Sequence, residues 1–239
     1  PRKNRVVTTA LSFSQQQLAE GISYIAATPG ICDVILTGGD SLLLDDDRLE
    51  DILSRLHAID HVDMIRIGSR APVTLPARIT AELCTLLARF QPLYLNTHFN
   101  HPREIVSASI KACTRLADAG IPLGNQTVLL GGVNDDPDVM IDLCRKLLKM
   151  RVRPYYLHHL DQARGTAHFR VPVERGLEII AAMRGQISGL GIPQYVVDPP
   201  GGQGTVPLLP ENLLEVGEVL KVRTTAGVVE LPNRRRPLT

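Results

Sequence analysis

The sequence predicts an α/β chain of repeated strand–helix units whose parallel strands form an incomplete (β/α) barrel. Three observations predict it. Short apolar or β-branched runs carry strand markers at Leu36, Ile65, Leu95, Val128 and Tyr156, separated by 29, 30, 33 and 28 residues. A strand, a crossover helix and two short loops take about 30 residues. The stretches between the markers place apolar residues at helical spacing. Polar groups also end nearly every strand: Gly39 with Asp40, Ser69 with Arg70, His98 with Asn100 and His101, Asn125 with Gln126, and His158 with Asp161. A doubly wound sheet needs such groups only where its strand order reverses, whereas a barrel gathers them around one C-terminal mouth. The full ring of polar ends favours the barrel, open or closed.

Taken in order, Ser14 is an N-cap before a helix over 15–27, in which Leu18, Ile22, Ile25 and Ala26 share a face and Pro29-Gly30 forms the stop. A strand at 34–37 opens into Gly38-Gly39-Asp40. Asp45 to Asp47 start a helix bearing Leu49, Ile52, Leu53 and Leu56 on one side. A strand at 62–67 is followed by a helix capped by Thr80 and running to Phe90. The next strand, 93–97, leads into a helix opened by Pro102 and reaching about Ala119. A strand over 121–128 precedes a helix over 135–150, and a strand over 153–157 precedes a helix over 173–187. A short strand at 194–197, a Gly-rich loop at 199–204 and β structure near 218–231 complete the chain. No strand candidate precedes residue 14, so the barrel is read as lacking its first strand.

The chain has 239 residues and a formal net charge of +1, which gives no global field for nucleic acid or a membrane surface. Its apolar runs fall short of the ~20 residues of a membrane span, and no signal peptide is visible. The first residue is Pro, so the chain is read as a piece whose start lies upstream. Cys32, Cys84, Cys113 and Cys144 are separated by 52, 29 and 31 residues, too far apart for a local metal cradle. Three of them sit among apolar residues at helical spacing, as core cysteines do, and this fits a reducing, cytoplasmic compartment.

Several motifs carry two readings each. Gly38-Gly39-Asp40 is either a capped turn or a backbone cradle with a fixed negative charge. Arg70 either holds a carboxylate or phosphate, or makes a surface ion pair. His98 and His101 follow a strand with no third ligand at local spacing, so hydrogen bonding to a polar ligand is better supported than a metal. Asp161 and Asp198 are either caps and surface charges or a receptor for a substrate cation. The loop Pro200-Gly201-Gly202-Gln203-Gly204-Thr205 has a phosphate-loop composition without Walker spacing or its Lys.

Together the motifs resemble one family. Leu36-Thr37-Gly38-Gly39-Asp40, Arg66-Ile67-Gly68-Ser69-Arg70, Leu95-Asn96-Thr97-His98-Phe99-Asn100-His101-Pro102, Gly124-Asn125-Gln126-Thr127-Val128-Leu129-Leu130, Gly132-Val133-Asn134-Asp135, Arg153-Pro154-Tyr155-Tyr156 and Asp198-Pro199-Pro200-Gly201-Gly202 occur in this order. The chain resembles the lysine 2,3-aminomutase family of radical S-adenosylmethionine (SAM) enzymes over nearly its whole length. Tyr155 to His158 and Ala167-His168-Phe169 are similar to the branch that modifies elongation factor P.

The resemblance implies a partial barrel of the radical SAM type, an isomerase activity, SAM, a [4Fe-4S] cluster with ligands upstream of this chain, pyridoxal phosphate (PLP), an electron donor and a homo-oligomer. It implies that Gly38, Gly39 and Asp40 receive the amino group of SAM, with His98, Asn125 and Gln126 near that cofactor. It implies that Arg2 meets the substrate carboxylate and that Asp161 and Asp198 hold the side-chain ammonium of lysine. On this basis residues 1–190 form the incomplete barrel, and residues 191–239 complete the substrate and PLP side with a β extension. Two departures stand out. The chain has no CxxxCxxC motif, so it supplies no cluster ligands, and Thr205 stands where the family has the Lys that forms the PLP Schiff base. Three functions stay open: an aminomutase, a radical SAM enzyme of the same fold without PLP, and a non-catalytic barrel remnant that binds a small molecule.

Overall fold

The computed structural model describes residues 14–161, 163, 165–199, 204–209, 213–216, 219–224 and 227–232. The first helix, α1 (Gln15–Ala26), starts at a capping box: Ser14 Oγ accepts the Gln17 N–H, and the Gln17 side chain accepts the Ser14 N–H. Strand β1 (Asp33–Leu36) follows, then α2 (Asp46–His57), which Asp45 caps through the Arg48 N–H. Helix α2 buries Leu49, Ile52, Leu53 and Leu56, the stripe its sequence predicts. Each such side chain withdrawn from water is worth roughly 1.5–3 kcal/mol.

Strand β2 (Met64–Gly68) runs into a single turn, α3 (Ala71–Thr74), and then α4 (Ala81–Ala88), capped by Thr80 as its sequence suggests. Strand β3 (Leu93–Thr97) precedes α5 (Ser107–Asp118), β4 (Leu123–Val128), α6 (Pro137–Lys149) and β5 (Val152–His158). Helix α7 (Val173–Met183), strand β6 (Gln194–Val197) and strand β7 (Val206–Pro207) complete the main sheet.

Two helices differ from expectation. The stretch from Pro102 is not one helix: a short 3-10 turn spans Pro102–Glu104, and Ile105 and Val106 are extended before α5 begins. The break has a cause in side-chain chemistry. Glu104 turns back to accept the N–H groups of Asn100 and His101, while Ser109 Oγ accepts the Val106 N–H and restarts the helix. Helix α7 stops at Met183 rather than near residue 187, because Arg184 is extended and Gly185 adopts φ +81°.

Strands β1 to β7 pair in strict sequence order. All neighbours from β1 to β6 are parallel, and β7 is antiparallel to β6. A doubly wound sheet would show a reversal of strand order, so the sheet is a half-barrel. Val34, Ile65, Ile67, Leu93, Leu95 and Leu123 are buried in the core shared with the helices, as are Val152 and Leu157 of β5, where an irregularity at Tyr155 shifts the alternation. Ile35, Arg66 and Tyr94 alternate with them and face the hollow side, where Arg66 holds Asp33 with two bonds of 2.5 and 2.8 Å. A second sheet, antiparallel, joins β8 (Leu213–Val216), β9 (Val219–Thr224) and β10 (Gly227–Pro232). No described helix is long and apolar enough to cross a membrane.

Candidate active site at the C-terminal mouth of the half-barrel

Parallel pairing aligns the C-terminal ends of β1 to β6, so the loops that follow them share one rim. At the tip of β1, Gly38 and Gly39 have φ of +102° and +85°, which only glycine adopts without strain. A Cβ at either would meet nothing within 4 Å, so both stretches of backbone border open space. Asp40 then serves as a strut and as a cap together. Its Oδ1 accepts the Leu42 N–H at 3.1 Å and the Ser69 hydroxyl at 2.6 Å, and its Oδ2 accepts the Arg70 N–H at 2.7 Å. Each carboxylate oxygen has two lone pairs, so one site on Oδ2 is left for a further donor. Arg70 itself pairs with Glu104, the ion-pair reading of that residue.

Asparagines stitch the next two loops. Asn125 is fully buried: its Oδ1 accepts the Phe99 N–H at 2.7 Å, and its Nδ2 donates to the Phe99 carbonyl and to Thr127 Oγ1. It positions the loop after β3 and presents no free group to the mouth. Asn134, also buried, accepts the Leu130 N–H and donates to the carbonyls of Asn100 and Val128. Asn100 Oδ1 accepts the Val128 N–H and lies 3.1 Å from His98 Nε2. With Asn100 Oδ1 as acceptor, His98 carries its proton on Nε2 and keeps Nδ1 as an acceptor. Burial first, and the Arg70 charge second, hold the His98 imidazole below its ordinary pKa. His101 caps the turn of Pro102–Glu104 by accepting the Arg103 N–H on Nδ1, so His98 and His101 have separate duties. Gln126 alternates with buried Asn125 and Thr127 and so lies on the hollow side.

The remaining carboxylates leave adjacent strands. His158 pairs with Val196 in the β5–β6 register, so the loops carrying Asp161 and Asp198 depart side by side. Across the β6–β7 hairpin Val197 pairs with Val206, which sets Asp198 opposite Thr205. Thr205 Oγ1 donates to Asp198 Oδ1 at 2.7 Å, and Asp198 Oδ2 lies 3.6 Å from His158 Nδ1. Behind them, fully buried Tyr195 packs its ring over Gly176 of α7 and bonds His159 Nδ1 at 2.8 Å. Arg2, Gly201 and Gly202 lie outside the described residues. The links from Ser69 to Asp40 and from His158 and Thr205 to Asp198 were not readable from the sequence, because strand pairing brings them together.

The Lysine-2,3-aminomutase family profile matches residues 180–230, the part that carries β6, Asp198 and Thr205. The L-lysine 2,3-aminomutase of Fusobacterium nucleatum is 54% identical over 203 residues, covering 85% of this chain and 48% of that protein. The glutamate 2,3-aminomutase of Clostridioides difficile is 50% identical over 217 residues, covering 90% of this chain and 51% of that protein. The chain belongs to the lysine 2,3-aminomutase family. It spans about half the length of these curated relatives. In fold it is similar to the crystal structure of Streptococcus suis SuiB bound to S-adenosylmethionine, with a TM-score of 0.56 at 12% identity over 80% of this chain and 45% of that one. That likeness shows a shared fold, a parallel half-barrel flanked by helices.

The cofactors that lysine 2,3-aminomutase family membership implies can be tested against these residues. The open backbone at Gly38 and Gly39, with one acceptor site left on Asp40, suits a ligand that carries an ammonium, as SAM does. A cluster does not fit. Cys113 and Cys144 are buried in helices with thiols pushed up to about 12, Cys84 is buried and also raised, and Cys32 alone is exposed. A PLP Schiff base at 205 does not fit either, since a threonine hydroxyl forms no imine. Among the described lysines, Lys111, Lys146 and Lys149 lie on α5 and α6, and Lys221 on β9 is held by Glu215 and Glu230.

Proposed function

We propose that this chain is the catalytic barrel of a radical SAM amino-acid 2,3-aminomutase that moves the α-amino group of L-lysine to the β-carbon. The observation that carries the reaction class is the 54% identity to an L-lysine 2,3-aminomutase over 85% of the chain. Identity does not choose the substrate, because a glutamate enzyme stands at 50%. Charge supports the choice. Asp161 and Asp198 leave the ends of neighbouring strands, and two carboxylates attract a side-chain ammonium and repel a side-chain carboxylate.

On this reading Gly38, Gly39 and the remaining lone pair of Asp40 hold the methionyl end of SAM, with His98 and Gln126 beside it. Bound and reduced by one electron, SAM supplies a 5′-deoxyadenosyl radical. The chain's own residues bind and orient. Asn100, Asn125 and Asn134 hold the loops, neutral His98 offers Nδ1 as an acceptor, and Arg2 meets the substrate carboxylate. Residues 191–239 close the substrate side by bringing in Asp198 and Thr205. A [4Fe-4S] cluster whose ligands are not supplied by this chain's cysteines, an external electron donor and a homo-oligomer belong to the same proposal.

Thr205 favours a second reading, in which the enzyme works without covalently anchored PLP. The test uses full-length protein reconstituted with iron, sulfide, SAM, PLP and reductant, offered L-lysine or L-glutamate, with β-amino acids detected by mass spectrometry. β-Lysine formation from lysine alone is expected. Product from glutamate alone, or reductive SAM cleavage with neither product, overturns the lysine reading. Borohydride treatment of the same protein is expected to leave no pyridoxyl adduct at residue 205.

A further inference from the structure

We propose that Thr205 is a positioning and specificity residue that builds, with Asp198, an acceptor pair for the substrate's side-chain ammonium. The proposal rests on the reading above that Asp198 meets that ammonium. The pair is set by strand pairing: Val197 opposite Val206 puts residues 198 and 205 face to face across the hairpin. The Thr205 hydroxyl has one proton, and it donates that proton to Asp198 Oδ1 at 2.7 Å. A hydroxyl whose proton is committed offers only lone pairs to anything else. Asp198 and Thr205 together therefore present acceptors and no donor.

His158 flanks the other end of the carboxylate, with Nδ1 at 3.6 Å from Oδ2. The hydroxyl thus holds Oδ1, while the imidazole stands beside Oδ2 beyond hydrogen-bond distance. Each oxygen keeps a lone pair after these contacts. A primary ammonium has three tetrahedral donors, which suits two or three acceptors placed around it. An uncharged alkyl tail has nothing to offer them and would leave them desolvated and unpaired. The result is selection for an amine at the end of the substrate side chain.

The test is equilibrium binding of L-lysine and of L-norleucine, which lacks the ammonium, to the full-length protein and to Thr205→Val, Thr205→Ser and His158→Asn. Lysine affinity is expected to fall about tenfold in Thr205→Val, the loss of one hydrogen bond to a charged group. Thr205→Ser, which keeps the hydroxyl, restores it, and norleucine binding stays level throughout. His158→Asn gives a smaller loss for lysine alone. Unchanged lysine binding in Thr205→Val overturns the proposal. So does an equal loss for norleucine, which would mark Thr205 as merely structural, and so does a wild-type protein that binds lysine no better than norleucine. Wild-type protein that binds lysine with this pattern but forms no β-lysine leaves the acceptor pair standing and removes the aminomutase reading.

Discussion

Asp40 at the tip of β1 takes the Ser69 hydroxyl at the tip of β2 across 2.6 Å, and the same carboxylate takes the backbone N–H groups of Leu42 and Arg70. One side chain thus locks two neighbouring loops of the rim. Asp40→Ala is expected to cost about 1–3 kcal/mol, as loss of a cap and of bonds to a charged acceptor does. Asp40→Asn should recover only part of it, since its amide turns a donor toward one of the three donors. Urea unfolding of the two variants and of Ser69→Ala checks this; wild-type stability in Asp40→Ala would show that the rim needs no lock.

His98 makes stability depend on pH in a stated direction. Burial and Arg70 lower its pKa in the folded chain, while in the unfolded chain it titrates near its usual value of about 6.5. Between the two values the unfolded state binds more protons, so stability is full above about pH 6.5 and declines as the pH falls toward the folded value. His98→Gln removes this contribution. Urea midpoints between about pH 5 and 8 should fall less steeply toward acid in the variant than in the wild type.

Gly176 in α7 exists for the Tyr195 ring. A Cβ there would meet the ring carbons and hydroxyl at 2.2–2.5 Å, and the ring is buried. Gly176→Ala is expected to destabilise by about 1–3 kcal/mol through overpacking, despite alanine's better helix propensity. Tyr195→Phe keeps the packing and loses the bond to His159, at about 1 kcal/mol. Thermal unfolding of both variants separates the two effects. A stabilised Gly176→Ala would contradict the packing.

Thiol chemistry reports on the cysteines. Cys32 is exposed, whereas Cys84, Cys113 and Cys144 are buried with raised pKa values. Iodoacetamide at neutral pH should modify Cys32 alone in the folded protein, and all four cysteines after denaturation. Peptide mass spectrometry reads both states. Rapid alkylation of Cys113 or Cys144 without denaturant would contradict their packing.

The sequence alone determined the repeat. Markers about 30 residues apart, helical stripes such as Leu49 to Leu56, and caps at Ser14, Asp45 and Thr80 depend on near neighbours in the chain, and near neighbours can be read directly. Polar strand ends and the ordered motifs likewise pointed to the mouth and to the family. The tertiary structure decided what each polar residue does there. Asn125, which sequence reasoning placed by the cofactor, is consumed by Phe99 and Thr127 because β4 turns it to the buried face. Asp40 is partly spent on Ser69, which is 29 residues away. Asp198 gains Thr205 and His158 through strand register. Hydrogen bonds over such separations depend on which strands pair and which face each residue takes, and the linear order of residues carries neither.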